Sequence, residues 1–310
     1  MGQYAPPAGI TGSTAIHKDS SVFKSWASSV EIFRASIDIS DPNSPLASVG
    51  DSSSCLGKSN GLLVSLGDGG EAILSFELPI FDGPSWDFAV FENSFLNDFL
   101  ELAFVEVSSD GQNFFRFPAS SLSQDTAQID GFGAVDARKL NNLAGKYEAN
   151  YGTPFDLAEM AGIPGLDIQN ISHIKIIDVV GSINPSFGSL DTAGNIINDP
   201  WPTAFPSCGF DLESLGVIHS KGFSLEENWT SLKIYPNPTA QVLFLKNENP
   251  SNKLEKIQIY SLEGICMKNV EILDQQEQIS IDLNGLKSGF YLLKLSINDE
   301  TEIRKIQILK

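Results

Sequence analysis

The sequence predicts an all-β protein built from two β-sandwiches, and three observations lead to this fold class. Short runs of alternating apolar and polar residues recur along the 310 residues. The 26 Gly and 16 Pro fall mostly between these runs, and no long stretch has helical periodicity. Because the chain exceeds the usual size of one domain, we predict three parts. These are a jelly-roll β-sandwich with one short helix (1–220), a linker (221–231) and a small immunoglobulin-like β-sandwich (232–310).

Five segments carry the strongest strand patterns of the first sandwich. They are NGLLVSLGDGGEAILSFELPI (60–80), WDFAVFEN (86–93), ELAFVEVSSDGQNFFRFP (101–118), ISHIKIIDVVGS (171–182) and GFDLESLGVIHS (209–220). The tetrapeptides GDGG (67–70) and SDGQ (109–112) favour tight reversals between strands, because Gly adopts positive φ easily. Strands separated by long loops indicate a jelly roll.

One short helix is predicted in TPFDLAEMAG (153–162). Thr153 is a suitable cap, Pro154 suits the first helical position, and Asp156 lies three residues after the cap. Gly162 and Pro164 are expected to end the helix.

The second sandwich is predicted from about seven short alternating runs after residue 232. Pro236 and Pro238 lack an N–H group, so the chain must turn or leave the sheet at YPNPT (235–239). Gly264 and Gly289 lie where tight turns are expected. This segment has no clustered His, Cys or paired acids, and nothing in it indicates catalysis.

Four motifs in this tail occur in a recognisable order. They are YPNPT (235–239), IYSLEG (259–264), LKSGFYLLKL (286–295) and RKIQILK (304–310). Together they resemble the C-terminal sorting domain of proteins exported by the type IX secretion system of Bacteroidetes. An ordinary immunoglobulin-like module has the same fold but does not explain the ordered motifs. The residues that carry the resemblance are Tyr235, Pro236, Asn237, Pro238, Gly264, Gly289, Tyr291 and Lys310.

The resemblance implies that the tail is an export address recognised by the type IX secretion machinery. In that family the domain is commonly removed when the cargo is released or attached to the outer cell surface. We therefore expect a secreted or surface-anchored protein whose own activity resides in residues 1–220.

Charge and hydropathy exclude some partners. Residues 1–220 contain 9 Lys and Arg against 27 Asp and Glu, and the whole chain has a formal net charge of −19. Such a surface repels phosphate backbones, so a nucleic-acid partner is not expected. No 18-residue apolar span is present, so no transmembrane segment is predicted. The three cysteines have no CxxC spacing, which disfavours zinc and leaves the pairing of Cys55 with Cys208 open.

A second resemblance concerns the first sandwich. The segments VEVSSDGQNFFRF (105–117) and GFDLESLGVI (209–218) resemble those of galactose-binding-like jelly rolls, which include many carbohydrate-binding modules. The resemblance implies an extracellular glycan as the ligand.

Exposed aromatic side chains are the expected contacts for a sugar, because sugar rings stack on them through apolar C–H faces. Core packing is the alternative fate of each aromatic residue. The candidates are Trp201, Tyr147, Tyr151, Trp86 and Phe205.

A structural Ca²⁺ is predicted from oxygen ligands at strand ends, if those ends converge. The candidate ligands are Asp211, Glu92, Asn93 and Asp178. The segment DTAGNIIND (191–199) is either a metal loop or, as we favour, an Asx-rich hairpin whose side chains bond their own backbone.

The sequence favours a non-catalytic ligand-binding protein, for which we predict no catalytic residue. The three histidines lie far apart, and no GxSxG, HExxH or P-loop motif occurs. Two alternatives remain open. One is a polysaccharide-active hydrolase or lyase that uses paired carboxylates, and the other is a structural or adhesive surface protein.

Overall fold

The structure is a computed structural model that describes residues 3–220, 232–247, 253–262, 264–272, 278–297 and 300–310. The chain divides into two compact units, Met1–Gly222 and Phe223–Lys310. The predicted linker at 221–231 lies outside the described residues.

The regular secondary structure of the first unit is almost entirely β. Its strands are β1 (Ile16–His17), β2 (Ser25–Trp26), β3 (Ser29–Phe33), β4 (Val64–Ser65), β5 (Glu71–Ile80), β6 (Phe88–Glu92), β7 (Ala103–Ser108), β8 (Phe115–Arg116), β9 (Ser120–Ser121), β10 (Leu140–Asn141), β11 (Tyr151–Phe155), β12 (Ile171–Asp178) and β13 (Asp211–Val217). Three single-turn 3₁₀ helices are η1 (Ser52–Cys55), η2 (Ala137–Lys139) and η3 (Leu157–Met160).

Two antiparallel sheets form the sandwich. One has the strand order β1-β11-β6-β13-β2, with β4 also paired to β13, and the other has the order β3-β5-β12-β7-β8. Strands β9 and β10 form a separate two-stranded ribbon. The prediction of an all-β sandwich is confirmed.

The main core lies between these sheets and follows from the alternation of the strands. On β12, Ile174 and Ile176 are buried in this core, and aromatic rings fill its centre. Phe88 stacks on Phe155 with ring centroids 5.3 Å apart, and Phe117 meets Phe155 edge-on at 5.1 Å. The core is thus a packed interior in which aromatic rings contact one another.

A second apolar cluster covers the other face of β7. Phe104 belongs to this cluster, whereas its neighbours Ala103 and Val105 belong to the main core. The cluster also takes Leu100 and Leu102, the residues on each side of Glu101. The chain entering β7 is therefore held between two apolar clusters.

The predicted helix is replaced by a strand and a 3₁₀ turn. Thr153 and Pro154 lie in β11, where they pair with Val90 and Ala89 of β6. Asp156 is the cap of η3, and its carboxylate accepts the N–H of Ala158 at 2.9 Å. The predicted start of the helix was wrong, because residues 153–155 pair with the central strand β6 despite the local helix signals.

The second unit contains seven strands among its described residues, which agrees with the predicted number. They are β14 (Leu232–Tyr235), β15 (Val242–Asn247), β16 (Leu254–Tyr260), β17 (Cys266–Glu271), β18 (Gln278–Asp282), β19 (Gly289–Ile297) and β20 (Glu300–Ile308). A three-stranded sheet, β14-β15-β18, and a four-stranded sheet, β17-β16-β19-β20, provide the residues of one apolar core.

The motif residues of this unit hold its strand ends together. Strand β14 ends at Tyr235, just before the first proline, as predicted. The Asn237 amide donates to the carbonyl of Lys305 at 3.1 Å and accepts the N–H of Gln307 at 2.9 Å. Gly264 adopts a φ of +82°, which suits the turn before β17. Tyr291 is buried, and its hydroxyl donates to the carbonyl of Lys287 at 3.0 Å. The YPNP segment is thereby tied to the last strand.

At the end of the chain, the Lys310 N–H donates to Ser288 Oγ at 2.9 Å. All three cysteines are free thiols, with Cys55 and Cys208 buried and Cys266 exposed. Among the residues that the structure describes, no helix has the length and apolar character needed to span a membrane.

Candidate functional site

Three carboxylates converge at one end of the six-stranded sheet. Glu92 ends β6 and Asp211 begins β13, and the ladder between these strands places Glu92 opposite Leu212. Asp211 also pairs with Ser65 of β4, whose hydroxyl donates to its carboxylate. Glu101 arrives from the segment before β7. The convergence of strand ends that the sequence analysis required is present for Glu92 and Asp211.

These acids and four phenylalanines line a cavity of about 280 Å³, which we name the acid–aromatic cleft. Its acidic part comprises Glu92, Glu101 and Asp211, with Asn93 beside them. The remaining lining residues are Val49, Leu63, Phe95, Phe99, Gly131, Phe132, Thr203, Phe205 and Ser207.

The phenylalanines form a continuous series of ring contacts along the cleft. Phe95 stacks on Phe99 at 4.8 Å, Phe99 on Phe132 at 6.1 Å, and Phe132 meets Phe205 at 5.7 Å. Phe95 is 65% exposed and Phe132 is 68% exposed, whereas the three acids are buried. Exposed aromatic groups clustered in this way are typical of a contact surface for a ligand.

The acids of the cleft are strongly perturbed. Burial, and then the charge of Asp211, hold the pKa of Glu92 well above its ordinary value. Burial and the charge of Glu92 do the same to the pKa of Glu101. Burial raises the pKa of Asp211 to about 7, against the lowering effect of its hydrogen bond from Ser65. Such perturbation of several acids in one cleft favours a functional site.

A smaller cavity of about 10 Å³ adjoins the cleft through Glu101 and Thr203, which line both. Its other acids are Asp68, Asp178 and Asp199, and burial raises the pKa of each. Backbone N–H groups bond all three. Ile39 donates to Asp68, Gly69 and Phe210 donate to Asp178, and Leu102 donates to Asp199. These acids fix the loops around the cleft.

The four predicted calcium ligands therefore separate. Glu92, Asn93 and Asp211 line the cleft together, whereas Asp178 lies at the smaller cavity with both carboxylate oxygens bonded to backbone N–H groups. Within the described ranges, one group of acidic, His or Cys residues has three ligand atoms within 4.8 Å of one another, and it lies elsewhere. The four residues do not form a preformed ligand set.

That close group consists of Asp82, Asp87 and Asp156. The oxygens of Asp87 accept the N–H groups of Gly83 and Leu157 at 2.8 and 2.7 Å, and His219 Nδ1 lies 2.7 Å from one of them. Asp156 caps η3. These bonds give Asp87 and Asp156 a structural role.

The Asp191 segment resolves an alternative that the sequence left open. The Asp191 carboxylate accepts the N–H groups of Ala193 and Asn195, each at 2.9 Å, and Leu190 bridges Ile196. The segment is an Asx-rich hairpin.

The predicted aromatic contacts have different fates. Phe205 lies in the cleft and is 48% exposed. Tyr147 is 1% exposed, with its hydroxyl 2.7 Å from Thr14 Oγ1, so no ring face is available to a sugar. The prediction for Tyr147 was wrong because the ring is buried and its hydroxyl contacts Thr14, 133 positions earlier in the chain.

The other three aromatic candidates lie outside the cleft. Trp201 is half-buried at the smaller cavity, and its indole N–H donates to Asp68 at 3.1 Å. Tyr151 is half-buried and meets the His17 ring edge-on at 5.1 Å. Trp86 is half-buried before β6.

Sequence reasoning missed Glu101, Phe95, Phe99 and Phe132. The signals were present in ENSFLNDFLE (92–101), where two Phe residues four positions apart precede an acid, and in DGFG (130–133), where Phe132 lies between two glycines. An aromatic residue in a Gly-flanked loop has little core to enter, which favours exposure.

Comparisons with solved structures give weak similarities. A biofilm-associated protein BSP domain has a TM-score of 0.21 and 8% identity, with 78% of this chain and 48% of that chain covered. Ruminococcus gnavus β-glucuronidase in its apo form has a TM-score of 0.24 and 9% identity over 99% of this chain and 47% of that chain. Its complex with D-glucaro-1,5-lactone gives 0.23 and 8% over the same shares. The chain spans about half the length of these proteins, and TM-scores this low support no argument about function.

No curated protein sequence matches the chain. The tail, in contrast, matches a family model, the secretion system C-terminal sorting domain, over residues 233–309. This match confirms the interpretation of the four tail motifs. Residues 233–309 are therefore a sorting domain of the type IX secretion system, and the protein is exported, either secreted or attached at the outer cell surface.

Proposed function

We propose that residues 3–220 are a non-catalytic, exported ligand-binding module whose acid–aromatic cleft takes an extracellular carbohydrate. The observation that carries the proposal is the cleft itself, in which exposed phenylalanine rings adjoin buried oxygen acceptors. A sugar presents apolar C–H faces and hydroxyl donors side by side, which is the arrangement that such a surface complements.

The test is a glycan-array and polysaccharide pull-down screen of the full chain, together with analysis of the products in each incubated sample. The informative variant is Phe205→Ala, and Phe33→Ala is its matched control because each of these side chains is 48% exposed and Phe33 lies in β3. We expect binding that is lost in Phe205→Ala and kept in Phe33→Ala, without new products. Binding that both variants keep would place the glycan site elsewhere.

Calcium is part of the proposal. Glu92, Asn93 and Asp211 offer the hard oxygen ligands that Ca²⁺ prefers, and the absence of three close ligand atoms there fits an ion that takes one or two protein carboxylates. Hydroxyl groups of the sugar and water would supply the other ligands. The melting temperature of the chelated protein, measured with and without added Ca²⁺, tests this part, and an unchanged value would remove it.

A hydrolase or lyase is the second candidate, and one observation favours it. Burial raises the pKa of Asp211 to about 7, a value at which a carboxyl group exchanges protons near neutral pH. Oligosaccharide products that disappear in Asp211→Asn would support catalysis. Binding without products would support the recognition module.

A further inference from the structure

The acidic part of the cleft lacks a positive charge. Glu92, Glu101 and Asp211 are all buried, and none of them belongs to an ion pair among residues 3–220. Buried acids without a cationic partner are unfavourable unless they stay protonated or a cation from outside joins them.

Glu101 is the most informative of the three. Glu92 accepts the N–H of Ser94 at 2.8 Å and Asp211 accepts the hydroxyl of Ser65, but no hydrogen bond to the Glu101 carboxylate occurs among the described residues. Glu101 is only 8% exposed and lines the cleft. Buried polar groups normally have a hydrogen-bond partner, so a buried carboxylate that faces a cavity and accepts no hydrogen bond from the protein is suited to bind a ligand there.

The backbone around Glu101 is fixed, so its position is not incidental. The Leu102 N–H donates to Asp199 at 3.0 Å. On the other side, Gly145 packs so closely that a Cβ there would lie 1.9 Å from the Glu101 carbonyl oxygen. Packing against Gly145 and the bond to Asp199 hold the Glu101 backbone in place beside the cleft.

The aromatic part of the cleft also favours positive charge. Phe95, Phe132 and Phe205 line the cleft and are 65%, 68% and 48% exposed, and the face of an aromatic ring carries the negative side of its quadrupole, which attracts ammonium groups. Aromatic faces and carboxylates in one cavity therefore act in the same direction.

Size and geometry leave room for an organic cation at Glu101. Among the described residues, the three acids of the cleft do not each bring a carboxylate oxygen to within 4.8 Å of the others, so they do not share one ion and Glu101 remains available to a separate cation. The cavity of about 280 Å³ is much larger than an ion with ligands at about 2.3–2.6 Å.

We propose that the cleft recognises an organic ammonium group, and that the ligand is a sugar carrying a free, unacetylated amine. The choice of a sugar rests on the proposed function above. The amine N–H groups donate to Glu101 and its neighbouring acids, and the C–H face of the ring stacks on the phenylalanines.

The test compares a glucosamine disaccharide with its N-acetylated counterpart, which has the same ring but no charge. Binding to the full chain is measured by calorimetry at pH 6 and moderate salt with chelator present. We expect the free amine to bind at least about tenfold more tightly, as hydrogen bonds to charged groups imply. Glu101→Gln should lose about tenfold affinity for the amine, and Phe132→Leu should weaken it while retaining an apolar side chain.

Glu77→Gln is the matched control, because it removes one exposed acid of β5 and leaves the chain with the same net charge as Glu101→Gln. It separates recognition in the cleft from general attraction to an acidic surface, and we expect its affinity to be unchanged. Equal loss in both variants would overturn the proposal.

The remaining outcomes separate the two proposals. Equal affinity for both disaccharides, or binding only of neutral glycans, would overturn the ammonium inference and leave carbohydrate binding intact. Binding of methylammonium, which keeps the N–H donors, but of no glycan in the screen would overturn the sugar as the ligand and keep the organic ammonium group. If no probe binds, both the ammonium inference and the carbohydrate proposal are overturned.

Discussion

The interiors of the two units differ in their polar content. In the second unit, Thr239 is the only polar side chain that is buried, among the residues whose burial the structure describes. The first unit buries one lysine and many acids, namely Lys146, Asp68, Asp87, Glu92, Glu101, Asp178, Asp191, Asp199, Asp211 and Glu213. Both units are antiparallel sandwiches, so the fold class does not require the buried charges.

The difference is consistent with the site proposed for the first unit. An apolar core gives a sorting domain stability, whereas acids buried without cations destabilise the folded state and are retained where they serve a site. Replacing a buried apolar residue of the second unit should therefore destabilise it, whereas replacing a buried, unpaired ionisable residue of the first unit should stabilise it.

The largest effect is expected from the apolar core of the second unit. Leu293 in β19 is fully buried, and Leu293→Ala should lower the free energy of unfolding of this unit by about 2–5 kcal/mol. Hydrogen exchange of β16 and β19 measures the change, with the exposed Leu262→Ala as the control. A similar loss of protection in β6 and β13 of the first unit would show that the effect of Leu293→Ala is not confined to the second unit.

In the first unit, removing a buried ionisable group should stabilise the folded state. Burial and neighbouring acids hold the pKa of Glu101 well above 4.5, so the folded state binds the proton more tightly than the unfolded state. Stability is then full below pH 4.5 and declines as the pH rises. Glu101→Gln should gain about 2–3 kcal/mol at pH 7 and lose this decline. Urea unfolding between pH 4 and 8 tests this, with Glu77→Gln as the control. A less stable Glu101→Gln protein at pH 7 would contradict the contrast.

The buried lysine should show the opposite dependence on pH. Burial lowers the pKa of Lys146 to about 8 from 10.5, so the folded state releases this proton first. Stability should therefore rise between pH 8 and 10.5 in the natural protein. Lys146→Met should be about 1–2 kcal/mol more stable at pH 7, after loss of the 2.8 Å bond to the Leu140 carbonyl, and should lack this rise. Urea unfolding against the exposed control Lys24→Met measures the difference, and parallel pH profiles would refute it.

The smallest effect concerns Tyr147. Tyr147→Phe removes the hydroxyl that lies 2.7 Å from Thr14 and should lower the unfolding free energy by about 1 kcal/mol, without altering sugar affinity. Thermal unfolding and the glycan screen measure both quantities, with the half-buried Tyr151→Phe as the control. Lost glycan binding at unchanged stability would restore Tyr147 as a ligand contact.

Local patterns allowed the prediction of the strands and part of the cleft. Glu92 and Asp211 follow from the sequence because each marks the point where an apolar alternation begins or ends. Glu101, Phe95 and Phe132 could not be placed, because their convergence depends on the register of β6 with β13 and on loops packed by distant residues. Tyr147 was mispredicted for the same reason, since its ring is buried and its hydroxyl contacts Thr14, which lies far away in the sequence. The tail was predicted more completely because its alternation and turn residues act over short distances.

The distribution of the three thiols has a consequence for redox chemistry. An exported protein meets oxidising conditions, which allow cysteines to react. The reactive form of cysteine is the thiolate. Burial raises the pKa of Cys55 to about 11, and burial beside Asp68 raises that of Cys208 further, so both remain protonated and shielded. Cys266 is exposed on the sorting domain. Disulfide exchange or a maleimide label is therefore directed to the tail, which gives a selective tag for following the fate of that domain while the cleft stays chemically untouched.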